Sequence, residues 1–222
     1  MTSLARPPLA AVVFDLDGTL LDTLRDIGDT GNQVLDEFGH AAHPLEDYRQ
    51  FVGDGVKTLM ERIFPEPARD PQTIARAVAR FGELYHDRWH ATTQLYPGIR
   101  TLLTELTARG VPMTVLSNKP QAFTELCVQH FLAEWPFAIV YGMREGVPRK
   151  PDPTAALDQA ARLQLAPAAC AYVGDSSVDM RTATSAGMPA FGVAWGFRSI
   201  TELRAHGAQA ILHHPCDLLT YL

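Results

Sequence analysis

The chain has 222 residues, 46% of them hydrophobic, and a formal net charge of −6. This length can bury one sizeable core, or a core and a small second domain. The acidic balance argues against nucleic acid as a partner, and no uncharged run approaches the roughly 18 residues of a membrane span. Three widely separated cysteines, Cys127, Cys170 and Cys216, indicate a reducing compartment. We therefore expect a cytoplasmic protein, monomeric or homodimeric, with no nucleic-acid or membrane partner.

The first predicted element is a buried strand over Leu9–Phe14. Two aspartates, Asp15 and Asp17, follow it directly in "DLDGT". A carboxylate is costly to remove from water unless it is paired or bound to a metal ion. The stretch therefore indicates a site and not an ordinary turn.

Between residues 22 and 93 the apolar residues recur with helical spacing, and no convincing strand is present. The segments that carry this pattern are "LRDIGDTGNQVLDEFG", "PLEDYRQF", "VKTLMERIF" and "PQTIARAVARFGELYHDRWH". We interpret residues 22–93 as a four-helix domain inserted into a second domain, which comprises residues 1–21 and 94–222.

From residue 94 onward, short apolar runs alternate with helical patterns. The predicted strands are "VPMTVLSN" (111–118), "FAIVYG" (137–142), "ACAYVGD" (169–175) and "PAFGVAW" (189–195). Repeated β–α units with continuously apolar strands are typical of a parallel sheet covered on both faces. The prediction is an α/β fold with a Rossmann-like parallel sheet.

Polar side chains collect where these strands end, and in parallel α/β sheets that edge carries the functional residues. They are Asp15 and Asp17, Ser117 and Asn118, and Asp175. Asp179 lies one helical turn beyond Asp175, and Lys150 precedes a helix that opens with proline. The carboxylates can hold a hard cation such as Mg²⁺, and the lysine and hydroxyl can hold a phosphate.

These stretches resemble the four motifs of the haloacid dehalogenase-like superfamily. The motifs are "DLDGT" (15–19), "SN" (117–118), "KPDP" (150–153) and "GDSSVD" (174–179), in the family's order. The helical insertion is similar to the C1-type cap of that family. Within it, "FVGDGVKTLM" (51–60), followed by "YPGI" and "SNKP", most resembles the phosphoglycolate phosphatase branch.

The resemblance implies a role for each motif residue. Asp15 would attack phosphorus to give an aspartyl-phosphate, and Asp17 would act as general acid and then base. Ser117 and Lys150 would bind phosphate oxygens, and further contacts to substrate would come from Gly18, Thr19 and Asn118. Mg²⁺ would be bound by Asp15, Asp175 and the main-chain carbonyl of Asp17, with Asp179 supporting the ion through water or by orienting a ligand.

The resemblance also implies the reaction and the substrate class. Dehalogenases of the superfamily carry an aromatic residue where Asp17 stands, so we expect a Mg²⁺-dependent phosphomonoester hydrolase. The substrate would be a small phosphorylated metabolite, 2-phosphoglycolate. In the cap, Arg49 or Lys57 would pair with its carboxylate, and the small residue Gly53 would let the backbone approach the ligand closely. Inorganic pyrophosphatase and sugar phosphomutase activities stay open as alternatives. A non-catalytic phosphate sensor is disfavoured because every motif position keeps its expected residue.

Overall fold

The computed structural model describes residues 8–222, so residues 1–7 of the predicted core domain lie outside it. The chain divides into two compact units, one comprising residues 8–20 with Leu95–Leu222 and the other Leu21–Gln94. Among the described helices, none is both long and apolar enough to cross a membrane.

The strands of the described residues are Ala11–Phe14 (β1), Leu21–Asp22 (β2), Gln94–Leu95 (β3), Met113–Pro120 (β4), Phe137–Met143 (β5), Cys170–Gly174 (β6), Ala190–Val193 (β7) and Ala210–Leu212 (β8). The α-helices are Leu24–Glu37 (α1), Tyr48–Phe51 (α2), Val56–Ile63 (α3), Pro71–Arg88 (α4), Ile99–Ala108 (α5), Gln121–Phe131 (α6), Thr154–Arg162 (α7), Ser177–Ala186 (α8) and Ile200–Ala205 (α9). Short 3₁₀ helices occupy Leu45–Asp47, Glu66–Ala68, Pro167–Ala169 and Pro215–Thr220.

Six strands form one sheet in the order β5-β4-β1-β6-β7-β8, and their pairings are all parallel. Every residue of β1 is buried, as expected for a central strand covered on both faces. The predicted α/β fold with a parallel sheet is confirmed. The sequence pattern does not predict β8, which is only three residues long and too short to show a period.

The end of β4 differs from the sequence-based expectation. The strand was expected to end at Asn118, but it continues to Pro120, with an irregular register against β5 after Leu116. Proline disfavours helical backbone in the residue before it, so Lys119 stays extended and α6 begins at Gln121. Lys119 is thereby placed at the end of the strand and not in the following helix.

The second unit, Leu21–Gln94, contains α1 to α4 and is built around their apolar faces. α1 and α4 pack against each other and both contact α3. The buried side chains include Val34 of α1, Met60 of α3 and the stacked pair Phe81 and Tyr85 of α4. The helical periodicity of this segment is therefore explained by its own core.

A buried carboxylate joins the two ends of this helical unit. Asp26 of α1 is 3% exposed and accepts hydrogen bonds from the backbone N–H and the hydroxyl of both Thr92 and Thr93, at 2.6–3.0 Å. Burial would raise the pKa of Asp26, but these hydrogen bonds outweigh it and lower that pKa below its ordinary value. The carboxylate thus fixes the start of α1 to the segment that enters β3.

Candidate active site

The candidate site is built on the carboxyl ends of neighbouring strands of the α/β unit. Asp15 follows β1, and its backbone N–H donates to Val173 of β6 at 2.9 Å. Asp175 follows β6, and both aspartates are buried. Because β1 and β6 are parallel neighbours, their ends bring these carboxylates to one edge of the sheet.

Three carboxylates meet at this edge. One oxygen each of Asp15, Asp175 and Asp179 lies within 4.8 Å of the others. Asp179 belongs to the first turn of α8, where it forms a capping box with Ser176. Its Oδ2 accepts hydrogen bonds from the backbone and hydroxyl of Ser176, and its Oδ1 accepts from Tyr172 at 3.3 Å. Asp179 is therefore the most firmly held of the three.

Lys150 places its charge between two of these acids. Its Nζ lies 2.7 Å from Asp15 Oδ1 and 2.7 Å from Asp179 Oδ1, and the residue is 4% exposed. Asn118 holds the main chain of Lys150 from both sides, donating to its carbonyl at 3.1 Å and accepting from its N–H at 3.0 Å. The predicted contact between Asn118 and substrate stays a prediction, whereas the structure gives its amide this positioning role.

The electrostatics of the cluster follow from its burial. Burial raises the pKa of Asp15 to about 7, and the charge of Asp179 adds to this effect while Lys150 opposes it. Burial, together with Asp15 and Asp179, also raises the pKa of Asp175 well above its ordinary value. Burial alone would lower the pKa of Lys150, but the charges of Asp15 and Asp179 raise it, so this lysine stays protonated.

The loop after Asp15 approaches Asp175 so closely that only glycine fits there. Gly18 has φ +86°, and a Cβ on it would lie 2.2 Å from Asp175 Oδ2. That same oxygen accepts a hydrogen bond from Phe197 N–H at 2.7 Å. Thr19 is fully buried, and its hydroxyl has no hydrogen-bond partner among the described residues. Gly18 and Thr19 therefore shape the loop beside the acidic cluster.

Sequence reasoning missed the pair between Asp17 and Lys119. Lys119 Nζ lies 3.0 Å from Asp17 Oδ1 and 3.2 Å from Oδ2. The partners are 102 positions apart, on adjacent strand ends. The available signal was "SNKP", because the proline keeps Lys119 extended beside Ser117. Ser117 itself is 4% exposed, and its hydroxyl accepts from the Lys119 N–H at 3.2 Å.

The remaining predicted residues belong to the helical unit. Arg49 of α2 pairs with Glu46 at 2.7 Å, and Lys57 of α3 pairs with Glu61. Gly53, with φ +118°, lies in the loop between these helices. Arg62 holds that loop by donating to the Phe51 carbonyl at 2.9 Å and to Asp54 at 2.6 Å. Arg62 thus holds the loop that the two predicted cations flank.

The donor set of the acidic cluster fits a hard divalent cation. All of its ligand atoms are carboxylate oxygens, which Mg²⁺ prefers, and no softer side chain belongs to the cluster. Burial, and then repulsion among the acids, raises the pKa of Asp15 and of Asp175. A bound cation would supply positive charge that stabilises their ionised forms.

Comparisons with known proteins agree with this geometry. The sequence profile of the family described as haloacid dehalogenase-like hydrolase matches residues 12–193. A phosphoglycolate phosphatase from Nitrosospira multiformis is 34% identical over 222 residues, covering 96% of each chain. Another, from Vibrio cholerae, is 33% identical over 192 residues, covering 84% of each chain.

The solved structures give the same result for the fold. A protein from Lactobacillus delbrueckii subsp. bulgaricus, provisionally named a phosphoglycolate phosphatase, superimposes with a TM-score of 0.88 at 29% identity. The match covers 96% of this chain and 97% of that one. With the profile match over most of its length, the chain belongs to the haloacid dehalogenase-like hydrolase family and is a phosphatase of that family.

Proposed function

We propose that the protein is a Mg²⁺-dependent phosphomonoester hydrolase that acts on 2-phosphoglycolate through an aspartyl-phosphate intermediate. The observation that carries the proposal is the meeting of Asp15, Lys150 and the two further acids at one buried edge, with Asp17 two residues from Asp15. The relatives named phosphoglycolate phosphatase, at 34% and 33% identity, support the choice of substrate.

Asp15 is the proposed nucleophile. A carboxylate oxygen of Asp15 forms a bond to phosphorus while the bond from phosphorus to the leaving oxygen breaks, and Asp17 donates a proton to that oxygen. Asp17 then takes a proton from a water molecule that attacks the aspartyl-phosphate, which frees inorganic phosphate and restores Asp15. The Lys150 contact supports this role because it holds Asp15 in one orientation.

The phosphoryl group is held by charges and dipoles that are already in place. Lys150 and the Ser117 hydroxyl bind its oxygens, with the backbone N–H groups of Gly18 and Thr19 beside them. Asn118 acts indirectly, by fixing the main chain of Lys150. Preorganised donors of this kind stabilise the charge that spreads over the transferring group.

Mg²⁺ would be bound by Asp15, Asp175 and the main-chain carbonyl of Asp17. When bound, it neutralises negative charge on the phosphoryl oxygens and on the buried carboxylates. Asp179 supports the ion indirectly, since its own oxygens already accept hydrogen bonds from Lys150, Ser176 and Tyr172.

The helical unit is the proposed source of substrate selection. Arg49, Gly53 and Lys57 lie on its α2–α3 segment, where two cations and a glycine suit a small anionic group. In this proposal the unit acts as a cap that excludes water from the reaction. The carboxylate of 2-phosphoglycolate is the partner proposed for the two cations.

The direct test is release of inorganic phosphate in the presence of Mg²⁺ from 2-phosphoglycolate, pyrophosphate and a sugar 1-phosphate, with the Asp15→Asn variant as control. The proposal expects 2-phosphoglycolate to have the highest kcat/KM and the variant to be inactive. Preferred cleavage of pyrophosphate would contradict the substrate. Conversion of the sugar phosphate to an isomer without phosphate release would indicate a mutase.

A further inference from the structure

Lys119 is a buried cation whose ammonium group faces Asp17, the residue proposed to protonate the leaving oxygen. Its side chain is 5% exposed, and its Nζ lies 3.0 and 3.2 Å from the two carboxylate oxygens of Asp17, whose side chain is 13% exposed. Lysine is almost never this buried unless its charge is paired. The ammonium group is therefore held at a defined point beside Asp17.

The main chain of Lys119 is fixed on both sides. Its N–H donates to the Ser117 hydroxyl at 3.2 Å, and its carbonyl accepts from the Thr124 hydroxyl at 3.2 Å. Pro120 follows it and keeps the backbone extended. A cation on such a rigid support can discriminate between ligands, since little ordering is needed when a ligand binds.

We propose that Lys119 is a specificity-determining residue that binds one oxygen of a carboxylate on the carbon next to the leaving oxygen of the substrate, and that it shares this carboxylate with the cations proposed on the helical unit. The inference rests on the proposed function, in which Asp17 contacts that oxygen. A leaving oxygen within hydrogen-bond distance of Asp17 places the substituent of its neighbouring carbon within a few ångströms of Lys119 Nζ. The ligand class is thus a 2-phosphooxy carboxylate, of which 2-phosphoglycolate is the smallest.

The charges around Asp17 explain why such a cation is needed. A substrate carboxylate in this position approaches Asp17 and the buried acids Asp15 and Asp175, and like charges at short range repel each other. Lys150 already contacts Asp15 and Asp179 on the nucleophile side. Lys119 provides positive charge on the leaving-group side, so it favours an anionic leaving group over a neutral one.

The test compares two substrates that differ only in that group. The wild type, Lys119→Met and Lys119→Arg are assayed with 2-phosphoglycolate and with 2-hydroxyethyl phosphate, in which a hydroxymethyl group replaces the carboxylate. The readout is the ratio of kcat/KM for 2-phosphoglycolate to kcat/KM for 2-hydroxyethyl phosphate. Arg162→Met, which removes an exposed cation of the same unit that pairs with Asp158, is the matched control.

Loss of a charge-assisted hydrogen bond should lower this ratio in Lys119→Met by about ten- to a hundredfold, mainly through a higher KM for 2-phosphoglycolate. Lys119→Arg should retain part of the preference, and Arg162→Met should keep the wild-type ratio. If Lys119→Met does not fold, Lys119→Gln replaces it with the same expectation.

A wild-type ratio in Lys119→Met would overturn the inference while leaving the proposed function in place. If that unchanged ratio came with an equal fall for both alkyl substrates and a smaller fall for p-nitrophenyl phosphate, Lys119 would only position Asp17, because an aryl leaving group needs less protonation. A wild-type enzyme that hydrolyses p-nitrophenyl phosphate without preferring 2-phosphoglycolate would instead refute the proposed substrate, and this inference with it.

Discussion

The ammonium group of Lys150 lies 2.7 Å from Asp179 in a pocket from which water is nearly excluded. The same nitrogen contacts Asp15, so one lysine holds two carboxylates that are 164 positions apart in the chain (179 − 15). Removing one partner of a buried ion pair leaves an uncompensated charge, which is more costly than replacing the whole pair.

Lys150→Met should therefore destabilise the metal-free protein by roughly 3–5 kcal/mol at neutral pH. The double variant Lys150→Met/Asp179→Asn should recover part of that loss, because it removes one of the two stranded charges. Urea denaturation of both variants in EDTA measures the effect. A double variant that is no more stable than the single one would contradict the charge argument.

Asp15 should make the stability of the metal-free protein depend on pH. Its pKa rises on folding from an ordinary value near 3.9 to about 7, so its contribution to stability is full below pH ~4 and is lost as the pH rises towards 7. Asp15→Asn has no such loss. The variant should therefore gain stability relative to the wild type between pH 4 and 7, by on the order of a few kcal/mol.

Urea denaturation in EDTA at several pH values tests this expectation. Mg²⁺ at pH 7 should raise the unfolding temperature of the wild type more than that of Asp15→Asn, since a ligand stabilises the state that binds it. A difference in stability between wild type and Asp15→Asn that does not vary with pH would contradict a raised pKa of Asp15 in the folded protein.

Gly18→Ala should disrupt the site through a steric clash with Asp175. Gly18 and Gly146 both have positive φ, +86° and +74°, so alanine strains the backbone similarly at each. A Cβ at Gly18 meets Asp175 at 2.2 Å, whereas one at Gly146 has nothing within 4 Å. Gly18→Ala should lose activity by more than about a hundredfold, and Gly146→Ala should lose only about 1 kcal/mol of stability. Equal phosphatase activity in the two variants would contradict this reading of the loop.

The fold was more predictable than the contacts inside the site. The alternation of apolar runs and helical patterns gave the parallel sheet, and the rule that function lies at strand ends gave Asp15, Ser117 and Asp175. The pairing of Lys119 with Asp17 depends on which strands are neighbours and on the irregular end of β4. The proline of "SNKP" indicates that Lys119 is extended, but no local pattern shows which strands are neighbours, because strand order is a property of the whole chain.

The same reason explains the second missed contact, between Asn118 and the main chain of Lys150. These residues lie 32 positions apart, on β4 and on the loop after β5. Motif resemblance placed Asn118 among the substrate-binding residues, but it does not report on hydrogen bonds to the backbone. The short strand β8 was missed because three residues are too few for a periodicity to appear.

The two cations of the helical unit should govern substrate choice. Arg49→Ala and Lys57→Ala should each lower the ratio of kcat/KM for 2-phosphoglycolate to that for p-nitrophenyl phosphate by about ten- to a hundredfold. Arg76→Ala, which removes an exposed cation on α4, is the matched control and should keep the wild-type ratio. Lys150→Ala and Asp175→Ala should impair both substrates. Wild-type ratios in both cap variants would remove these residues from carboxylate recognition.

Rapid quenching of the reaction tests the central proposal, nucleophilic catalysis by Asp15, most directly. The enzyme is mixed with Mg²⁺ and 2-phosphoglycolate, quenched in acid before steady state, digested and analysed by mass spectrometry. A phosphoryl group should be found on the peptide that contains Asp15 in the wild type, and it should be absent from a folded Asp15→Asn variant that releases no phosphate. Phosphate release by the variant within about tenfold of the wild-type rate would contradict nucleophilic catalysis by Asp15.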